Sequence, residues 1–244
     1  MRRRGFNVGP SGLYVCGPAG VAWTPASWGA DRVLDYTADD CLTGGGNTTA
    51  FVNQVSGGPN ATQANAAFQA TAPAAHAGLN GALAVRTTAD YYNISEVGHS
   101  GTSHSIVWTW DNNDAASLYQ YIIFANGASF VVYESVSGAA GWMGFYTALS
   151  GHSGWLGSAH TGAHRYTMSA DGGTALCSGW EDGVSVGADM AFGTYALTGP
   201  GFFLGTAANN VVDAYLGRVV LLNRPWTAAD ETNYAAWSTA KYGV

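Results

Sequence analysis

Residues 164–186 read HRYTMSADGGTALCSGWEDGVSV, and two Asp-Gly pairs divide the stretch into three short runs. Asp171-Gly172 and Asp182-Gly183 each offer the positive φ that a tight hairpin turn demands, so 164–169, 174–180 and 184–186 are predicted to be strands that fold back on one another. The same pattern extends outward in both directions. Further strands are predicted at 83–86, 105–110, 119–124, 129–135, 142–148, 202–205 and 214–222, with Asn126-Gly127 as a third turn. Ten such segments on one chain predict an all-β body of two packed antiparallel sheets.

The flanks read differently. Residues 1–30 are rich in Gly and Pro, with isolated aromatics at Phe6, Tyr14, Trp23 and Trp28, and read as an extended arm whose rings need a neighbouring subunit or particle surface. Residues 31–244 form the folded domain. Within it, 31–80 is expected to be loop-dominated, broken by Gly44-Gly45-Gly46 and Ser56-Gly57-Gly58-Pro59, and the Ala-rich stretch 61–77 has neither an apolar stripe nor freedom from proline. At the other end Arg224-Pro225-Trp226 stops the last strand. Thr227 and Asp230 then form a capping-box start for one short helix that carries Tyr234, Trp237 and Tyr242 and ends at Gly243.

Composition narrows the function. The 244 residues carry 16 acidic and 9 basic side chains, a formal charge of −7, and one lysine, Lys241. Nucleic-acid binding needs clustered Lys and Arg and is not expected. Charged residues are 10% and aromatic residues 13%, so the surface rests on Ser, Thr, Asn, Gly and Ala. Cys16, Cys41 and Cys177 are odd in number and widely spaced, which reads as free thiols. No apolar signal stretch opens the sequence and no window reaches spanning length, so neither a secretion leader nor membrane insertion is expected.

Four segments resemble the concanavalin A-like, laminin-G-like jelly rolls of bacterial surface proteins and phage virion proteins. They are Phe51-Val52-Asn53 with 56–63 (SGGPNATQ), 79–85 (LNGALAV), Arg165-Tyr166-Thr167 through Asp182-Gly183-Val184, and 215–226 (YLGRVVLLNRPW) with Asp230-Glu231 and 240–243. Asn53 and Phe51 stand where that family has aspartate and tryptophan. The resemblance spans roughly 31–244 and implies a concanavalin A-like jelly-roll β-sandwich with one C-terminal helix, and a habit of binding glycans or decorating surfaces.

Retaining glycoside hydrolysis needs two carboxyl groups about 5–5.5 Å apart, which alternate positions on a strand supply. Glu96, Glu134, Glu181 and Glu231 show no such pattern, and Glu181 and Asp182 are adjacent at a turn, so the expectation is that the chain is not an enzyme. His160 and His164 have helical metal-site spacing, but Thr161-Gly162-Ala163 argues against a helix there. No cofactor is therefore expected, apart from a weak calcium candidate at Asp111, Asn113 and Asp114, whose simpler reading is a polar turn. Sugar faces stack on aromatic rings, and Trp142, Tyr146 and Trp155, with His152, lie in a Gly/Ser-rich stretch suited to that task. Trp108 and Trp110 fall on one strand face and are assigned to the core. The expected function is a carbohydrate-binding or surface-display module on a virion or extracellular surface. Its expected partners are cell-surface glycans or virion and surface proteins, and it is expected to be a homo-oligomer or particle-associated. A purely structural capsid or tail protein and a glycoside hydrolase are the alternatives.

Overall fold

A computed structural model describes residues 23–88, 90–113, 120–125, 128–133, 142–147, 151–158, 160–186, 190–191, 197–204 and 213–244. Along 120–158 it gives strands and their register, with the side chains of Ile122 and Ile123. The chain is an all-β sandwich of two antiparallel sheets closed by one C-terminal helix, Ala228–Tyr242.

The first sheet runs Val184–Ser185, Leu176–Glu181, Gly162–Asp171, His104–Asn112, Ala214–Leu222, Leu83–Thr87, Ala74–Ala75. Arg32–Thr37 joins it on the upper half of Ala214–Leu222, and Met190–Ala191 pairs with Leu176–Glu181. The second sheet runs Gly151–Ser158, Trp142–Thr147, Ala128–Tyr133, Gln120–Ala125, Gly201–Phe203, Tyr92–Ile94, Ala61–Thr62, Asn47–Phe51, Cys41–Gly44. Each of the ten predicted segments overlaps one of these strands. Asp182 (φ 49°) and Gly183 (φ 83°) make the expected two-residue hairpin. Of the other two predicted turns, Asn126-Gly127 lies outside the described residues, and at Asp171-Gly172 residues 172–175 form the loop and Ala175 (φ 54°), not Gly172, takes the positive φ.

The expectation of loops over 31–80 is corrected. Arg32–Thr37 is a strand with Leu34 and Tyr36 in the core, and Gly45-Gly46, at positive φ, turns the hairpin between Cys41–Gly44 and Asn47–Phe51. Glycines that read as breakers are the corner of a ladder. Asn53 serves structure as well: buried, its side-chain oxygen accepts from the backbone N–H groups of Asp35 and Val55 at 3.0 Å each.

One core lies between the sheets. Tyr36 from the first sheet meets Phe203 and Phe51 from the second, with ring centroids 4.8 and 6.5 Å apart, and Trp108, Trp110 and Tyr166 pack edge to face and stacked on the other side. Trp108 and Trp110 are fully buried, as assigned. The strand His104–Asn112 is buried on both faces because the first sheet has a second cover. Its Val107 joins Val220, Leu222, Tyr234 and Trp28 beneath the helix, a third layer on the outer face.

A β-bulge decides what Ala214–Leu222 shows to each layer. Ala214 and Leu216 point into the inter-sheet core, the register shifts between Leu216 and Arg218, and Val219 and Leu221 then take over the inward positions. Gly217 and Arg218 thus both fall to the helix side. The helix is fixed by its cap: Thr227 accepts from the Asp230 N–H, and the Asp230 carboxylate accepts from Thr227, from both terminal nitrogens of Arg224 and, at 2.7 Å, from Nε1 of Trp28. That last contact corrects the expectation that Trp23 and Trp28 need another subunit. Trp28 stacks on Tyr234 at 5.6 Å with Trp23 edge-on to both, so the aromatics of the described end of the arm are covered by the chain's own helix. Residues 1–22, with Phe6, Tyr14 and Cys16, lie outside the described residues. Neither Cys41 nor Cys177 is in a disulfide, and no helix among the described residues is long and apolar enough to cross a membrane.

Candidate functional site

On the outer face of the first sheet, the bulge and the edge strand Arg32–Thr37 place charged side chains side by side. Asp35, fully buried, accepts from Nε and Nη2 of Arg218 at 2.8 and 2.6 Å and from Nη1 of Arg32 at 2.6 Å. Burial works against the charge on Arg218, but Asp35 outweighs it and holds the guanidinium above its ordinary pKa. Arg218 lies over the half-buried ring of Trp237, 5.1 Å from its centroid, and Lys241 approaches the same ring while contacting Asp39. These groups border a cleft of about 370 Å³ between the 3-10 turn Pro25–Asp31 and the C-terminal helix. Asp40 and Gln54 complete its polar rim. Arg32, Arg218 and Lys241 line the cleft with Asp39 and Asp40, and Asp35, buried behind the two arginines, brings the carboxylates to three, so the cluster as a whole is polar but without net charge.

A second cluster forms where the Gly162–Asp171 strand meets the Asp182-Gly183 turn. Nδ1 of His164 is 2.8 Å from Oδ2 of Asp182 and 3.2 Å from Oε1 of Glu181, while Nδ1 of His160 is 2.7 Å from Oε2 of Glu181. The hydrogen bond to Asp182 raises the His164 pKa above its ordinary value. On Asp182 burial pushes the other way, but His164 and the Arg165 N–H leave its carboxyl below the usual range. The buried Tyr166 hydroxyl donates to Glu181 at 3.0 Å. Adjacent residues on a strand point apart, but Asp182 has already left the strand into the turn, which returns its carboxylate to the side of Glu181.

The sequence-predicted sites fare unequally. Tyr146 is the register partner of His152, Trp155 of Gly144 and Trp142 of Ser158, so the four glycan candidates share the last two strands of the second sheet. Their side chains lie outside the described residues. Of the calcium candidates, Asp111 ends a strand and pairs with Nε2 of His76 at 2.7 Å, Asn113 reaches Asp213, and Asp114 lies outside the described residues. His76 stacks on Tyr215 at 3.7 Å, so Asp111 already has a fixed partner. The cleft was not foreseen. Its signal in the sequence was the charged residue inside an apolar run, Asp35 in RVLDYT and Arg218 in LGRVVLL.

No protein-family model and no curated protein matches the chain. Solved structures do match in fold. A Trypanosoma rangeli sialidase in complex with 2,3-difluoro-KDN aligns with a TM-score of 0.54 at 12% identity over 91% of this chain, and the chain spans about a third (36%) of that sialidase's length. Domain 4 of AbnA, an extracellular GH43 arabinanase from Geobacillus stearothermophilus in complex with arabinotriose, aligns with a TM-score of 0.55 at 11% identity, over 84% of this chain and 98% of that one. Both likenesses are of fold. They correct the expectation that the chain is not an enzyme, because several of the solved chains that share its fold are sialidases, which are enzymes. Paired carboxylates mark one kind of glycoside hydrolysis, so their absence from the sequence pattern is too narrow a ground for excluding an enzyme.

Proposed function

We propose that this chain is a carbohydrate-binding module of the concanavalin A-like kind, and that the cleft beside Trp237 takes an uncharged, polyhydroxylated ligand. The observation that carries the reading is the cleft's charge balance. A site with fixed guanidinium donors, carboxylate and amide acceptors and, with Asp35 behind it, no net charge matches hydroxyl groups, whereas an anion or a cation would meet repelling groups alongside the attracting ones. Its size falls within the range of about 300–1,000 Å³ usual for small-molecule sites, and Trp237 supplies an apolar face at the rim. Domain 4 of the arabinanase, in complex with arabinotriose, supports the reading at the level of fold. Trp142, Tyr146, His152 and Trp155 are proposed as a separate stacking surface on the edge strands of the second sheet, supported by their shared register.

Display on a virion or extracellular surface, with cell-surface glycans or other surface proteins as partners and a homo-oligomeric or particle-bound state, is the second reading. The low charged fraction favours it, since interface cores are depleted of charge. One experiment addresses both readings: a glycan array probed with the wild type, an Asp40→Asn/Gln54→Ala double variant and a Trp155→Ala variant, beside native mass. Loss of about ten-fold or more in the double variant, with unchanged melting, is expected for a cleft that uses charged hydrogen bonds. A wild type that retains no glycan, or binding untouched by every variant, removes the reading; a strict monomer that docks on no surface removes assembly.

A further inference from the structure

Among the described residues, every hydrogen-bond partner of the His164 ring is an acceptor. Nδ1 faces carboxylate oxygens of Glu181 and Asp182, and Nε2 lies 3.3 Å from the carbonyl of Thr161. His160 repeats the arrangement, its Nδ1 within 2.9 Å of both oxygens of Glu181. Two imidazole nitrogens turned toward two carboxylates leave a place that only a proton or a cation can fill. The nearest fixed cation, Arg165, turns its guanidinium to Glu231 and Ser238 instead.

The surroundings match those of a metal centre. The donor atoms of His164, Glu181 and Asp182 all lie within 4.8 Å of one another, and tetrahedral bonds of about 2.0–2.1 Å set donors roughly 3.3 Å apart, so modest spreading suffices. Metal-ligating imidazoles as a rule donate their other N–H to a carbonyl or carboxylate, as Nε2 of His164 does to Thr161. The carboxylates are held from behind as well: Glu181 by the buried Tyr166 hydroxyl at 3.0 Å and Asp182 by the Arg165 N–H at 2.8 Å. We propose that this cluster binds a transition-metal dication of the zinc type through Nδ1 of His164 and the carboxylates of Glu181 and Asp182, with His160 as the fourth donor. Imidazole donors select this class over calcium, which takes six to eight oxygens. His160 and Asp182 are the exposed members, so the ion would stand at the surface and tie residue 160 to the 182–183 turn.

The test is titration of the full, untagged, metal-stripped chain with zinc chloride by calorimetry, and with cobalt(II), whose visible absorption reports tetrahedral geometry. One ion per chain is expected. His164→Ala should abolish saturable uptake, and Tyr166→Phe, which removes a supporting hydroxyl but no ligand, should weaken it by about 10–100-fold. Circular dichroism of the metal-free variants separates loss of the site from loss of the fold; should Tyr166→Phe unfold, His160→Gln, which removes the exposed fourth donor, is expected to weaken uptake without abolishing it. No saturable uptake by the wild type, uptake unchanged in His164→Ala, or calcium binding as tightly as zinc would each overturn the proposal.

Discussion

Gly217 sits where a methyl group would collide with an aromatic ring. A Cβ built there falls 2.7 Å from Cε1 of Tyr242 and 3.1 Å from Cζ, and Tyr242 is fully buried against Leu79 and Ala84, with no room to move aside. Its backbone is in an ordinary region, so the constraint is contact alone. Gly217→Ala is therefore expected to cost about 1–3 kcal/mol, the usual range for overpacking, read as a lowered denaturant midpoint with an unchanged slope. A neutral outcome would mean that the helix rides further from the sheet. Asp35 shows why such positions are hard to read in a sequence. Its neighbours Leu34 and Tyr36 face the inter-sheet core, while its own carboxylate is satisfied by Arg218, 183 residues away. No local pattern carries a pairing of that span, and the bulge that turns Arg218 toward Asp35 is one residue of register that alternation cannot supply.

Among the elements, the C-terminal helix was legible to the residue because its signals are local: Thr227 and Asp230 at the cap, Gly243 at φ 84° past the end. The cap also makes it sensitive to acid. Burial raises the Asp230 pKa, but hydrogen bonds from Arg224, Thr227 and Trp28 bring it down to about 2. An unfolded aspartate titrates near about 3.9, so this stabilisation is complete above about pH 4 and disappears as pH falls through about 2. The difference corresponds to at most about 2.6 kcal/mol. Asp230→Asn should therefore melt several degrees lower than wild type at pH 7, and the gap should shrink between pH 4 and pH 2; a gap independent of pH would assign the loss to packing. The strands divide in the same way. Strands with turn chemistry beside an apolar run were mostly predicted, whereas Arg32–Thr37, Cys41–Gly44, Asn47–Phe51 and Gly151–Ser158 were not, nor were the short Ala61–Thr62, Ala74–Ala75, Tyr92–Ile94 and Met190–Ala191. Two- or three-residue strands have no period to detect and exist because a neighbouring ladder accepts them. The metal-site candidate was missed for a related reason: the spacing of His160 and His164 was tested against a helix, whereas a hairpin turn brings Glu181 and Asp182 to them.

For the whole molecule, the two-sheet architecture followed from counting strands and turns, but the third layer did not, because nothing in the spacing of Trp28 announces that Asp230 will meet it. The strand Ala214–Leu222 holds the layers together, with His104–Asn112 on one side and both Arg32–Thr37 and Leu83–Thr87 on the other. A chain ending at Asp213 is expected to show no cooperative thermal transition, since the first sheet would be split in two and the helix cover lost; a sharp transition with native-like circular dichroism would count against that central role. The placement of this strand has a further consequence for how the protein is made. Arg32–Thr37 leaves the ribosome well before the strand it pairs with, which is about 180 residues behind. At about 5–20 residues per second the strand waits roughly 10–40 s with Leu34 and Tyr36 uncovered, an interval in which protection falls to chaperones because the fold cannot yet provide it.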